Sequence, residues 1–158
     1  MKKNIYFLML LILIICIDQF TKIKIYSYML SHSEEIRLLP FLNLTFLLNS
    51  GVAFGIFKNL GQVIPHIFSF IGIVLGSGLL IWAFLTKKHY FAMTLISAGA
   101  LGNAIDRIKL GAVIDFIDLY WKDMHWPAFH IADISICIGA CIFLYNEFNE
   151  SKKRKVLK

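Results

Sequence analysis

Four long, nearly uncharged runs constrain this chain more than any other feature: Ile5 to Ile17 and on past Asp18, Leu60 to Thr86, Tyr90 to Ile105, and Ala128 to Asn146. Lipid offers a backbone no hydrogen-bond partner, so runs of about 20 apolar residues cross it as helices. The alternative is a soluble core, and the composition argues against it. Of 158 residues, 58% are hydrophobic, against roughly 45–50% in soluble domains. The expected fold is therefore a membrane all-α protein with four transmembrane helices, in one domain over 1–158. The approximate spans are 4–24, 62–86, 90–107 and 128–147, followed by a basic tail at 148–158. The first run reads as an uncleaved helix, because Ile15, not a small residue, precedes Cys16. Cys16, Cys137 and Cys141 lack ligand spacing and read as small buried apolar side chains.

Threading the spans alternately sorts the charges. One side carries nine basic residues (Lys2, Lys3, Lys87, Lys88, Lys152, Lys153, Arg154, Lys155, Lys158) against Glu147 and Glu150, a net +7. The other carries seven basic residues against eight acids, a net −1. The positive-inside rule then puts both termini in the cytoplasm. The "KKRK" stretch becomes an anchor near anionic lipid, and nucleic acid is not an expected partner.

All six aspartates fall on the outer side of this threading. Asp133 lies 14 residues from Glu147, or roughly 21 Å along a helix within a hydrocarbon layer of about 30 Å. A charged Asp at the centre of a span costs about 2.5–3.5 kcal/mol, less near the interface, which marks Asp133 as a functional candidate. Desolvation together with a second carboxylate would leave one acid and one base at neutral pH, as in aspartic proteases. The partner chosen is Asp115, a lone acid in the apolar run "GAVIDF" that suits a buried strand or re-entrant turn.

Other segments supply the surroundings. Asn103 and Arg107, four apart, share a helical face and together could hold a peptide carbonyl; Asp106 could neutralise Arg107 or a lysine. Packing around Gly99 and Gly102 explains these residues equally well. Asp18 and Lys22 are spaced to pair. "LLPFLNLTFLLNSGVAFGIF" alternates and then turns at Asn49, Ser50 and Gly51, which predicts short strands able to clasp an extended peptide. "IDLYWKDMHW", with Tyr120, Trp121 and Trp126, suits an interfacial segment with Asp118 and Asp123 solvated.

Taken together, "DQFTK" at Asp18, "NSGVAFG" at Asn49, "GALGNAIDR" at Gly99, "VIDFID" at Val113 and "FHIAD" at Phe129 resemble bacterial lipoprotein signal peptidase, or signal peptidase II, in order and placement across nearly the whole chain. The resemblance implies four transmembrane helices, an outer β-cradle and an interfacial helical segment able to close over the site. It implies an aspartic endopeptidase without cofactor or metal, acting in the bacterial inner membrane on prolipoprotein signal peptides and cleaving before a diacylglyceryl-modified cysteine. Asp115 and Asp133 would be the catalytic dyad. Asn49, Gly51, Asn103 and Arg107 would line or brace the substrate site, with Asp18, Lys22 and Asp106 in support. A monomer is expected.

One position departs from the family pattern: His130 stands where asparagine is usual, three residues before Asp133. A neutral imidazole donates and accepts one hydrogen bond, as the amide does, so His130 is expected to orient the dyad while neutral. Three other readings compete, of which a structural membrane adaptor would leave the sequestered carboxylates without a function. His130 with the two aspartates could ligate a metal, although no second histidine is spaced for it. A proton-coupled transporter would also use intramembrane carboxylates, but would spread them through the depth of the membrane.

Overall fold

The computed structural model describes residues 2–32, 35–51 and 63–156. In chain order the elements are α1 (Lys2–His32), β1 (Ile36–Leu39), β2 (Leu42–Asn49), α2 (Ile64–Thr86), α3 (Tyr90–Leu110), β3 (Val113–Trp121), β4 (Met124–His125) and α4 (Ile131–Val156). The helices outlast the spans read from the sequence. Helix α1 continues beyond 24 to His32, and α4 carries the basic stretch expected as a tail.

Among the described residues, three helical segments are long and apolar enough to cross a membrane: Asn4–His32, Ile64–Thr86 and Ile131–Arg154. Large apolar side chains such as Tyr6, Ile12, Phe70 and Leu85 stand outward on them, as lipid-facing residues do. Helix α3 is not among the three. It packs against α1, α2 and α4, and apart from Met93 and Leu95 its buried residues are small or polar, among them Ala92, Thr94, Ser97, Ala98 and Ala104. A helix enclosed by neighbours needs close backbone approach more than an apolar surface. A Cβ on Gly99 would strike the Ala132 carbonyl oxygen, so α3 lies directly against the start of α4. At its far end α3 stops at Gly111, in the left-handed conformation at φ 69°, whose N–H donates to the Arg107 carbonyl at 3.0 Å.

The strands form an antiparallel sheet in the order β1-β2-β3-β4. Strand β2 pairs Leu44 with Ile117 and Leu47 with Asp115, so Thr45 and Phe46 together oppose Phe116 in a β-bulge. Released from that pairing, the Phe116 N–H donates to the Phe129 carbonyl at 3.1 Å, and the Ile117 N–H donates to the same oxygen at 2.8 Å. This ties the entry of α4 to the middle of β3.

Three expectations need correction. The segment Ile117–Trp126 is the β3–β4 hairpin, with no helical turn; its strand pairing satisfies backbone groups that a helix would otherwise satisfy. Trp121 and Trp126 nonetheless stand exposed on it. Asp118 is buried, holding the Asn43 amide at 3.4 Å and His125 Nδ1 at 2.9 Å, whereas Asp123 is exposed. All three cysteines face outward, because in a lipid-facing helix an apolar neighbourhood does not mean an interior one. The Val52–Phe57 part of the expected strand-and-turn segment lies outside the described residues.

Candidate active site

Asp115 and Asp133 arrive on different elements, one mid-strand on β3 and the other in the first turn of α4. Between them sits His130. Its Nδ1 lies 2.8 Å from Asp115 Oδ1 and 2.8 Å from Asp133 Oδ2. One oxygen of each carboxylate and the imidazole nitrogen all fall within 4.8 Å of one another. The Asp115 side chain is 8% exposed and that of Asp133 37%, so the pair has a closed and an open member.

Amides hold the remaining carboxylate oxygens. Asn49 Nδ2 donates to Asp115 Oδ2 at 2.9 Å, and Asn103 Nδ2 reaches Asp133 Oδ1 at 3.4 Å. Gly51 decides which way the Asn49 amide points: its N–H donates to Asn49 Oδ1 at 2.8 Å and leaves Nδ2 for Asp115. Gly51 is at φ 80°, and a Cβ there would come within 2.8 Å of the Phe68 ring, so glycine alone fits without strain. His130 Nε2 lies 2.5 Å from Asn103 Oδ1. With the amide in this orientation Nε2–H donates to Asn103 Oδ1, and Nδ1 either donates to an ionised carboxylate, as in an imidazolium, or accepts from a protonated carboxyl, as in the neutral ring expected from sequence.

Beneath the carboxylates lies a buried ion cluster. Lys22 Nζ is 2.7 Å from Asp18 Oδ2 and 2.6 Å from Asp106 Oδ2, and all three side chains are at most 4% exposed. The expected Asp18–Lys22 pair is present, and Lys22 is the lysine that Asp106 neutralises. Asp18 does more than pair, since its Oδ1 accepts the Ala132 N–H at 2.9 Å. That N–H is one of the donors a helix leaves unpaired at its start, and the carboxylate also meets the positive end of the helix dipole. Gln19 Nε2 donates to Asp106 Oδ1 at 2.6 Å. Sequence reasoning missed Gln19 and the capping role of Asp18; the signal for the cap was an acid in one span facing an "FHIAD" helix start in another.

Arg107 stands apart from this cluster. Its guanidinium donates to the Asn103 carbonyl at 3.4 Å and lies 5.6 Å from the Phe68 ring centre, with no carboxylate within 4 Å among the described residues. The expected pairing of the Asn103 and Arg107 side chains on one carbonyl is not set up here, because the Asn103 amide is taken by His130 and Asp133.

Two acids thus converge on one imidazole, with oriented amides behind them. The model of the family described as signal peptidase (SPase) II fits residues 10–149. The chain belongs to the signal peptidase II family. A lipoprotein signal peptidase of Thermodesulfovibrio yellowstonii is 46% identical over 138 residues, covering 87% of this chain and 91% of the relative. One from Acinetobacter baylyi is 39% identical over 155 residues, covering 96% and 86%. Among solved structures, a bacterial membrane enzyme determined by the in meso method at 2.3 Å superposes with a TM-score of 0.75 at 29% identity, covering 97% of this chain and 92% of the other. Membership of the signal peptidase II family makes this chain a membrane-located peptidase, in keeping with the three long apolar helices among the described residues.

Proposed function

We propose that this signal peptidase II is an intramembrane aspartic endopeptidase that removes signal peptides from bacterial prolipoproteins, cleaving before a diacylglyceryl-modified cysteine. The observation that carries the reading is the convergence of Asp115 and Asp133 on His130, all within 4.8 Å. One carboxylate, ionised, takes a proton from a water that attacks the scissile carbonyl. The other, protonated, delivers its proton to the departing amine of the cysteine. Asn49, Asn103 and His130 fix the two acids, while Arg107 is available to polarise a substrate carbonyl. Asp18, Lys22 and Asp106 hold the start of α4, and Gly51 sets the Asn49 amide.

In this account α3 spans the membrane as the fourth helix, enclosed by the other three. Both termini are cytoplasmic in the inner membrane, since basic residues crowd the end of the bundle remote from Asp115 and Asp133. The carboxylates then work at outer-leaflet depth, where the acyl chains stay in lipid while the peptide bond reaches the acids. The exposed Trp121 and Trp126 of the β3–β4 hairpin suit the membrane interface. A single chain, without metal or cofactor, assembles the whole site.

The test is cleavage by the purified chain in lipid of a signal peptide with a diacylglyceryl cysteine and of its unlipidated twin. Cleavage of the lipidated peptide alone supports the reading. Equal cleavage of both removes the lipid requirement.

A further inference from the structure

The opposite end of the bundle holds a second convergence of ligand-type side chains. Only three residues separate α2 from α3, and two of them, Lys87 at φ 56° and His89 at φ 51°, are left-handed. For residues with a Cβ this conformation costs roughly 1–2 kcal/mol each. The turn drives the His89 ring into the protein, where its side chain is 4% exposed, stacked near Trp82 with centroids 6.2 Å apart and met edge-on by Phe143 at 5.2 Å.

Buried in this way, His89 Nε2 makes no hydrogen bond. Yet Glu147 Oε1 is 3.0 Å from it and Glu150 Oε1 4.0 Å, both on α4. The near oxygen is off the N–H axis, which is poor geometry for a hydrogen bond. It is good geometry for two ligands of one cation: atoms bound at about 2.0–2.2 Å and near right or tetrahedral angles lie roughly 2.9–3.5 Å apart. Glu150 divides its oxygens accordingly. Oε2 faces outward to Lys88 at 3.6 Å and Arg154 at 3.3 Å, and Oε1 faces His89. The nitrogen and the two oxygens all lie within 4.8 Å of each other, beside a cavity of about 470 Å³ that Asn146 and Asn149 also line. Amide oxygens or water there can complete a coordination sphere.

We infer that His89, Glu147 and Glu150 form a site for a divalent transition metal of the zinc class, tying the α2–α3 turn to α4. From Asp133 to Glu150 is 17 residues of α4, or roughly 26 Å, so the site is separate from the dyad and independent of the peptidase reading. One imidazole with two carboxylates suits zinc, cobalt or nickel and gives magnesium, which prefers oxygen and water, little hold. Lys87 and Lys153, which line the same cavity, repel the cation and limit its affinity.

The test titrates the full chain in metal-free detergent micelles with Co²⁺, followed by visible absorption and equilibrium dialysis. One Co²⁺ binds per chain, is displaced by Zn²⁺ and not by Mg²⁺, and binds equally to the Asp115→Asn variant. Glu147→Gln and Glu150→Gln, at side chains exposed enough to spare the fold, each weaken binding by at least about tenfold, the lower bound for disturbing a ligand's own support. His89→Gln does the same. Absence of Co²⁺ binding by the unsubstituted chain overturns the inference. So does binding that survives Glu147→Gln and is lost in Asp115→Asn, since the ion then sits at the dyad.

Discussion

Asp18 Oδ1 accepts the Ala132 N–H at 2.9 Å, which couples the buried ion cluster to the residue immediately before Asp133. An acid on α1 thereby sets where α4 begins, and so where one of the two candidate catalytic carboxylates stands. Asp18→Ala should lower kcat more than KM, because it moves an acid and leaves peptide-contacting residues in place. Steady-state kinetics on a lipidated peptide check this; an unchanged kcat would reduce Asp18 to packing.

Lys22 is the counter-charge of two buried carboxylates, at 2.7 and 2.6 Å. Lys22→Met leaves both uncompensated, and loss of one member of a buried ion cluster destabilises by about 3–5 kcal/mol. Thermal unfolding in detergent should show a large fall in Tm, whereas Lys24→Met on the same helix, at an exposed position, should leave it nearly unchanged.

Gly51 acts on Asp115 through Asn49. Gly51→Ala forces a Cβ toward the Phe68 ring at a positive φ, a backbone strain of roughly 1–2 kcal/mol before any clash. Its loss of activity should resemble that of Asn49→Ala, and the double variant should be no worse than the more damaging single one, because both remove one hydrogen-bond chain. Additive losses would show that Gly51 acts elsewhere.

His130 touches both acids, so its replacement separates geometry from charge. His130→Asn keeps an amide beside the carboxylates and should retain much of the activity, while His130→Ala should lose far more. The pH–rate profile of His130→Asn should also differ from that of the unsubstituted chain by the loss of one titrating group. Coincident profiles would mean that the imidazole holds one protonation state throughout.

The sequence made Asp115 and Asp133 legible because an acid in an apolar run is costly wherever it lies, and cost at a fixed depth demands a use. Asn49 and Asn103 were legible from motif resemblance, and the strands around Asn43 from alternation. Asp118 was misjudged because its burial depends on Asn43 and His125, which reach it only once β2, β3 and β4 are paired. The cysteines were misjudged because apolar periodicity cannot separate a lipid-facing side from an interior one. Helix α3 appeared as a shorter run than its 21 residues because Asp106, Arg107 and Lys109 end the uncharged stretch at Ile105, although the helix itself continues to Leu110.

The most direct test of the account is single-turnover cleavage of a diacylglyceryl-cysteine signal peptide by Asp115→Asn and by Asp133→Asn, each verified as folded by its Tm. Both carboxylates are required if the reaction uses an acid and a base, so each substitution should reduce cleavage to the background of the uncatalysed peptide. Cleavage at the unsubstituted rate by either variant would contradict the dyad.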